Sequence, residues 1–237
     1  MKKLRQDDPD LVRNEYADES RLAARQSIWA KRPDPQPLDV VFDEIVRLAP
    51  RRVLEVGCGR GQLANRLRRA GLDVVATDPS ERMVELTSAL GIEARVADVQ
   101  ALPFARDEFE VATANFMLYH VADTQRALAE LARVAPSLVA ATNGLNQLKE
   151  MWDLTGRDLG DRELLFMVET AEELLRAHFS EVRTIDLACT VDLTAAEMRH
   201  YVANSVAHRH LVDRIPEFDG TRPVTASTAV FVASNAA

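Results

Sequence analysis

Cysteine is scarce in this sequence: Cys58 and Cys189 are the only two in 237 residues. A pair so far apart makes a poor disulfide framework, which argues against a small stapled secreted scaffold and for a reducing, cytoplasmic setting. Long apolar runs are missing as well. No stretch approaches the ~18 apolar residues of a membrane span. The opening MKKLRQDDPDL lacks the apolar core of a signal peptide, so neither export nor a membrane partner is expected. Basic residues are too few to suit a long polyanion. The chain has 29 Lys and Arg against 37 Asp and Glu, a net charge of −8, and nucleic-acid binding needs many cations to neutralise phosphates. No nucleic-acid partner is expected. Internal repeats and low-complexity tracts are lacking too.

What remains is a chain that is 47% hydrophobic and 28% charged, enough for a sizeable core in one α/β domain with an appended subdomain. Residues 1–32 are polar and helix-prone, with Leu22, Ala23, Gln26 and Trp29 at helical spacing. Prolines 33, 35 and 37 break that pattern. A helix is predicted over 38–49, with Val41, Ile45 and Leu48 on one face. The chain then alternates. Strands are predicted in RRVLEVG, LDVVATD, IEARVAD, FEVATANF and SLVAATN. Helices are predicted in GQLANRLRRAG, in SERMVELTSALG and in TQRALAELARVA, which stops before Pro136. In the second of these Ser80 is the N-cap and Met83, Leu86 and Leu90 form the apolar stripe. Such alternation implies a parallel sheet with helices on both faces. After about residue 143 the rhythm changes. A helical insert spans about 143–180, EVRTIDLACTVDL and STAVFVASN read as strands, and TAAEMRHYVANSVAHRHLVD reads as a helix. The last two apolar runs suit an antiparallel addition at the sheet edge.

The stretch RRVLEVGCGRGQLANRL carries the chemistry. A glycine-rich turn between strand and helix lets a ligand approach the backbone and aims helix N-terminal N–H groups at it. A dinucleotide fold uses G-x-G-x-x-G. Here Gly57 and Gly59 fit, but the third glycine is Gly61 and position 62 is Gln. Glu55, a carboxylate beside the turn, is awkward for a pyrophosphate and suits a ligand with an ammonium group. Asp78 ends the next strand, where an acid accepts hydrogen bonds from ribose hydroxyls. Asp98 ends the third strand. Three successive strand ends thus present acids to one crevice, where open α/β sheets bind ligands. An ammonium, a ribose diol and an adenine amine would satisfy all three.

In order and spacing, VLEVGCGRG, VVATDPSERMVE, VADVQALPF and FEVATANFMLYHV resemble the core of the class I S-adenosylmethionine-dependent methyltransferases of the small-molecule type. The resemblance covers residues 53–135. It implies a Rossmann-like, doubly wound seven-stranded α/β sheet, mostly parallel with an antiparallel last strand. It implies an N-terminal helical lid over 1–37 and an S-adenosylmethionine-binding domain over 38–237. It also implies the roles of particular residues. Gly57, Cys58 and Gly59 would hold the methionine part of the cofactor by their backbone, and Glu55 would lie near its amino group. Asp78 would take both ribose hydroxyls. Met83 would lie against the adenine, whose edge Asp98 and the backbone of Val99 would read. Asn115 would contact the methionine moiety through its main chain. Arg25 is the candidate for the cofactor carboxylate, with Arg21 and Tyr16 nearby in sequence.

Methyl transfer needs little from the protein beyond alignment and exclusion of water, with a general base where the acceptor is a hydroxyl or a protonated amine. His120, next to Tyr119, is the candidate base. His178 and His200 read as structural. His208 and His210, on the late helix, read either as reaching the acceptor pocket or as a solvated helix face. Asn143, Asn146, Glu150 and Trp152 in the insert are acceptor-site candidates, or a packed helix face. Phe116-Met117-Leu118 after Asn115 departs from the Pro-Pro-aromatic run of base-modifying enzymes. No metal site is expected, and a homodimer is left open. The readings are a methyltransferase acting on oxygen or nitrogen of a small molecule, a non-catalytic S-adenosylmethionine-binding protein, and an NAD-dependent oxidoreductase. RNA or protein methylation suits the charge less well.

Overall fold

A computed structural model describes residues 19–33, 35–157 and 166–235. Tyr16, the first part of the expected lid and the middle of the insert lie outside these residues. Helix α1 spans Glu19–Gln26 and runs into a 3-10 turn, Ser27–Lys31; Pro37 then starts α2, Pro37–Arg47. The alternating core follows: β1 Arg52–Val56, α3 Gln62–Arg69, β2 Asp73–Asp78, α4 Glu81–Ser88, β3 Glu93–Val96, β4 Val111–Asn115, α5 Thr124–Val134 and β5 Ser137–Asn143. Then come α6 Lys149–Thr155, α7 Val168–Arg176, β6 Glu181–Asp186, β7 Cys189–Leu193, α8 Ala195–Ala203, a 3-10 segment Arg209–Arg214, β8 Arg222–Ala226 and β9 Thr228–Ser234.

Seven strands form one sheet in the order β3-β2-β1-β4-β5-β9-β6. Strands β1 to β5 pair in parallel, and β9 runs antiparallel to both β5 and β6. The antiparallel last strand is therefore internal, one place in from the edge. Its residues explain this. Ala229, Val230, Phe231 and Ala233 are almost wholly buried, and a continuous apolar run needs cover on both faces. EVRTID in β6 carries Glu181, Arg183 and Asp186, charges that suit an edge strand. Glu44 of α2 reaches across to Arg183 at 2.5 Å and so ties that edge to the body.

Alternation along the strands sets up two cores. Leu54, Val75, Ala112 and Leu138 face α5 and α7, together with Phe109, Phe166 and Phe231. Val53, Val74, Val111 and Val139 face Val41 and Ile45 of α2 and Leu63 and Leu67 of α3. Two predicted stripes end early. Leu48 and Leu90 lie just beyond α2 and α4 and are exposed. Their inward places are taken by Glu44 and Thr87, whose polar atoms find partners.

A third, smaller core sits apart. Strands β7 and β8 form a separate antiparallel pair. Leu148, Met151 and Trp152 from α6 and its start, Met198 and Val202 from α8, and Val191, Leu193 and Val224 of the pair enclose Ile28 from the N-terminal segment. RPVTA in β8, with its proline, was not expected as a strand. The run predicted as one helix over 194–213 breaks after Ala203, where Asn204 caps α8 by giving its side-chain N–H to the carbonyl of His200.

Candidate active site

The site is built where β1, β2 and β4 end. Period-two alternation places Glu55, Asp78, Thr113 and Asn115 on the face that packs against α2 and α3, because Glu55 registers with Ala76 and Thr113. The glycine turn leaves β1 with Gly57, Gly59 and Gly61 all at positive φ, 70°, 52° and 69°. Gly57 and Cys58 give their N–H groups to Thr77 O at 2.8 and 3.0 Å, and Thr87 Oγ1 donates to Gly59 O at 3.1 Å. The turn is thus clamped between β2 and α4. A Cβ at Gly59 would meet nothing within 4 Å, so open space faces the turn there.

Glu55 is 5% exposed. Its carboxylate accepts the N–H of Ala64 in the first turn of α3, a favourable place for negative charge. Its Oε2 is buried with no partner. Burial pushes the carboxyl up to about 8; the Ala64 N–H opposes this, and the nearby Asp78 charge adds to it. Asp78 accepts Gly59 N–H at Oδ2 and Ser80 N–H at Oδ1, both at 2.9 Å. Burial raises its pKa against those two bonds. Each oxygen keeps a lone pair for a further donor. Asn115 gives Nδ2–H to Thr113 Oγ1 at 2.8 Å, while its Oδ1 is a second buried orphan. Buried polar atoms are nearly always paired in the working protein, so two orphans at adjacent strand ends mark a place that a polar ligand completes. A third orphan, Thr77 Oγ1, lies on the opposite face of β2.

The other predicted residues fall as follows. Ser80 Oγ accepts Met83 N–H at 3.4 Å as the N-cap of α4, and Met83 is buried. Asp98 is exposed and accepts from Gln100 N and Nε2, whereas Val99 is buried beside Leu102 in the first core. Burial pushes the Cys58 thiol up to about 12, with Thr87 opposing and Glu55 and Asp78 adding to the rise. It is a neutral packing group. His120 ends a 3-10 turn, half-buried, with its ring 4.4 Å edge-on to Tyr119. Positive φ at Phe116 makes the sharp bend that aims this turn, and Met117 packs on Gly57. Sequence reasoning missed the link from Asn143 Nδ2 to the Tyr119 hydroxyl at 3.4 Å.

Glu150 is a tether, accepting Thr225 N–H and Oγ1–H at 2.7 Å. Trp152 is core, with the Arg157 guanidinium 4.2 Å over its ring. His178 bonds Gln125, while His200 and His210 are exposed. Among the described residues no cluster of ligating side chains suits a metal ion, and no helix is long and apolar enough to cross a membrane.

Residues 54–137 match the family model described as a methyltransferase domain, and the sheet around them has the mixed seven-stranded form of that fold. Residues 54–137 form a methyltransferase domain of the class I S-adenosylmethionine-dependent type. This methyltransferase is 27% identical over 198 residues to an uncharacterized methyltransferase of Mycobacterium tuberculosis, covering 79% of this chain and 81% of that one. A ubiquinone biosynthesis O-methyltransferase of Hahella chejuensis is 38% identical over 109 residues, 43% of this chain and 45% of that protein. Among solved structures, a possible histamine N-methyltransferase of Thermotoga maritima superposes with a TM-score of 0.61 at 17% identity, covering 93% of this methyltransferase and 98% of that chain. At that identity the likeness concerns the fold alone.

Proposed function

We propose that this methyltransferase binds S-adenosylmethionine across the ends of β1, β2 and β4 and moves its methyl group to an oxygen or nitrogen of a small-molecule acceptor. The observation that carries this reading is the buried Glu55 carboxylate, with one oxygen unpartnered beneath an open glycine turn. A cation would complete it. Gly57, Cys58 and Gly59 would face the methionine part by their backbone, Asp78 the ribose diol, Met83 the adenine, Asp98 and Val99 its edge, and Asn115 the methionine end. The cofactor, when bound, supplies a methyl carbon already activated by positive sulfur. The chain's own residues orient the acceptor, exclude water, and at His120 accept a proton where the acceptor bears one. The likeness to the Hahella ubiquinone biosynthesis O-methyltransferase and to the possible histamine N-methyltransferase of Thermotoga supports a small acceptor.

Calorimetry with S-adenosylhomocysteine tests the cofactor half. Asp78→Ala should weaken binding at least tenfold, since a charged partner to two hydroxyls contributes ~1.5–3 kcal/mol. Unchanged affinity would remove Asp78 from the site. Release of labelled methyl onto a panel of small hydroxyl and amine compounds tests the acceptor half, and transfer only to RNA or protein would refute it.

A further inference from the structure

The buried oxygens without a partner at the carboxyl edge of the sheet follow the order of its strands. Glu55 Oε2 lies near the end of β1 and Asn115 Oδ1 at the end of β4. The next strand is β5. Just beyond it stands a third such oxygen, Gln147 Oε1, on a side chain in a residue only 9% exposed. Buried nitrogens without a hydrogen bond lie elsewhere among the described residues. Arg52 begins β1 at the opposite edge, and Arg32 bonds the carbonyl of Leu187 past the end of the rim strand β6.

Backbone bonds fix the place of Gln147. Asn115 pairs in register with Ala141, so Asn143 stands one pleat further out on the same face of the sheet. Phe116 gives its N–H to Ala141 O at 2.8 Å and holds the turn after β4 against β5. Beyond Asn143 the chain folds back, with Gln147 N–H on Gly144 O at 3.1 Å. Such a turn brings its first and last residues within about 7 Å. Gly144 N–H bonds Ser227 O at 2.9 Å and Leu148 N–H bonds Thr225 O at 2.8 Å, so the turn is pinned at both ends. On one side Leu148 enters the third core, and on the other Asn143 reaches Tyr119. Gln147 lies between that core and the crevice.

The three unmet atoms along β1, β4 and the β5 turn all accept hydrogen bonds, so what completes them must donate. In the reading above the cofactor brings its ammonium to Glu55. Arg25, half-buried on α1 where that helix packs on α8, is the cation expected for the cofactor's own carboxylate. Resting on that reading, we propose that Gln147 Oε1 receives an N–H of the acceptor, and that the acceptor is an amine. An amine can rest one N–H on the amide oxygen and keep its lone pair free to attack. The lone pair forms the new C–N bond, and the C–S bond breaks with its electrons left on sulfur. The positive charge passes from sulfur to nitrogen, which then sheds one proton to water. A hydroxyl has a single proton. Donated to Gln147, an amide and no base, it is withheld from the base that must remove it. A carboxylate has no proton to give and sets oxygen against oxygen. The net charge of −8 also favours the arrival of a cation over an anion.

The test uses the full chain saturated with S-adenosylhomocysteine. Failure of that first binding step would sink the cofactor reading and is seen before any acceptor probe is added. Matched amine, alcohol and carboxylate probes, each on a butyl and a phenethyl body, are then titrated into the complex by calorimetry. The amine of each set should bind about tenfold tighter than its alcohol, and tighter than its carboxylate. Gln147→Met, similar in length but without the amide, should erase the preference for the amine while S-adenosylhomocysteine affinity stays within about twofold. The thermal midpoint of the ligand-free variant should not fall, because a buried unmet oxygen has been removed. Gln147→Glu should keep the amine preference. Amines that do not bind, or bind no better than the alcohols, overturn the proposal on the wild-type protein alone. A tighter carboxylate shows that this end of the crevice donates and overturns it as well. A preference that survives Gln147→Met takes the role from Gln147.

Discussion

At the scale of single residues, Glu55 concentrates the chemistry. In the unfolded chain it titrates as an ordinary glutamate, and in the folded one at about 8. Between those values the native state holds a proton that the unfolded chain has lost, so stability falls as pH rises through that window. Urea midpoints of the cofactor-free protein should therefore decline from pH ~5 to ~9. Glu55→Gln, with no proton to lose, should flatten the decline by roughly 2–4 kcal/mol; equal slopes would locate the effect in another group. An ammonium arriving beside Glu55 favours its ionised form. Binding of S-adenosylhomocysteine at neutral pH should then release about one proton, read from calorimetry in buffers of different ionisation enthalpy. Absence of any buffer dependence would take Glu55 out of cofactor contact.

At the scale of elements, the three glycines of one turn have three different reasons to be glycine. Gly61 begins α3 at φ 69°, and a Cβ there would stand 2.7 Å from Thr87 Oγ1 and 2.9 Å from its Cγ2. Gly61→Ala should cost about 2–4 kcal/mol. Gly59 has the same handedness but open space around it. Gly59→Ala should cost about 1–2 kcal/mol yet weaken S-adenosylhomocysteine at least tenfold, because the methyl fills the approach to the backbone. Thermal midpoints and calorimetry on the pair separate these outcomes, and matched losses of affinity would refute the distinction. Gly57 is limited by Met117, whose Cγ lies 2.8 Å from the place of a Cβ. The turn, its flanking strand and Asp78 were legible in the sequence because their requirements are local: φ sign, alternation and a cap. Leu48 and Leu90 were misplaced because the helical period continued past the residue where the backbone stops. The Asn143–Tyr119 contact left no local trace, since it joins residues 24 apart.

At the scale of the molecule, the third core joins the N-terminal segment to α6, α8 and the β7–β8 pair as a single cap beside the sheet. Lys31 pairs with Glu197 at 2.6 Å, Arg32 bonds the carbonyl of Leu187, and Ile28 is 3% exposed. No sequence period could show this union, because its parts are far apart along the chain. The two tryptophans, Trp29 and Trp152, both lie in or against that core. Their fluorescence therefore follows the cap, while far-ultraviolet ellipticity is weighted toward the sheet and its helices. Ile28→Ala should cost about 2–4 kcal/mol and move the fluorescence transition below the ellipticity transition in urea. Coincident transitions would show cap and sheet unfolding as one unit. The place of β9 bears on synthesis. Strand β6 leaves the ribosome well before β9, yet it joins the sheet only through β9. Until the later strand arrives, β5 presents a bare edge to whatever lies near it, and β6 has no neighbour to complete. That interval is when a nascent chain of this kind most needs a chaperone.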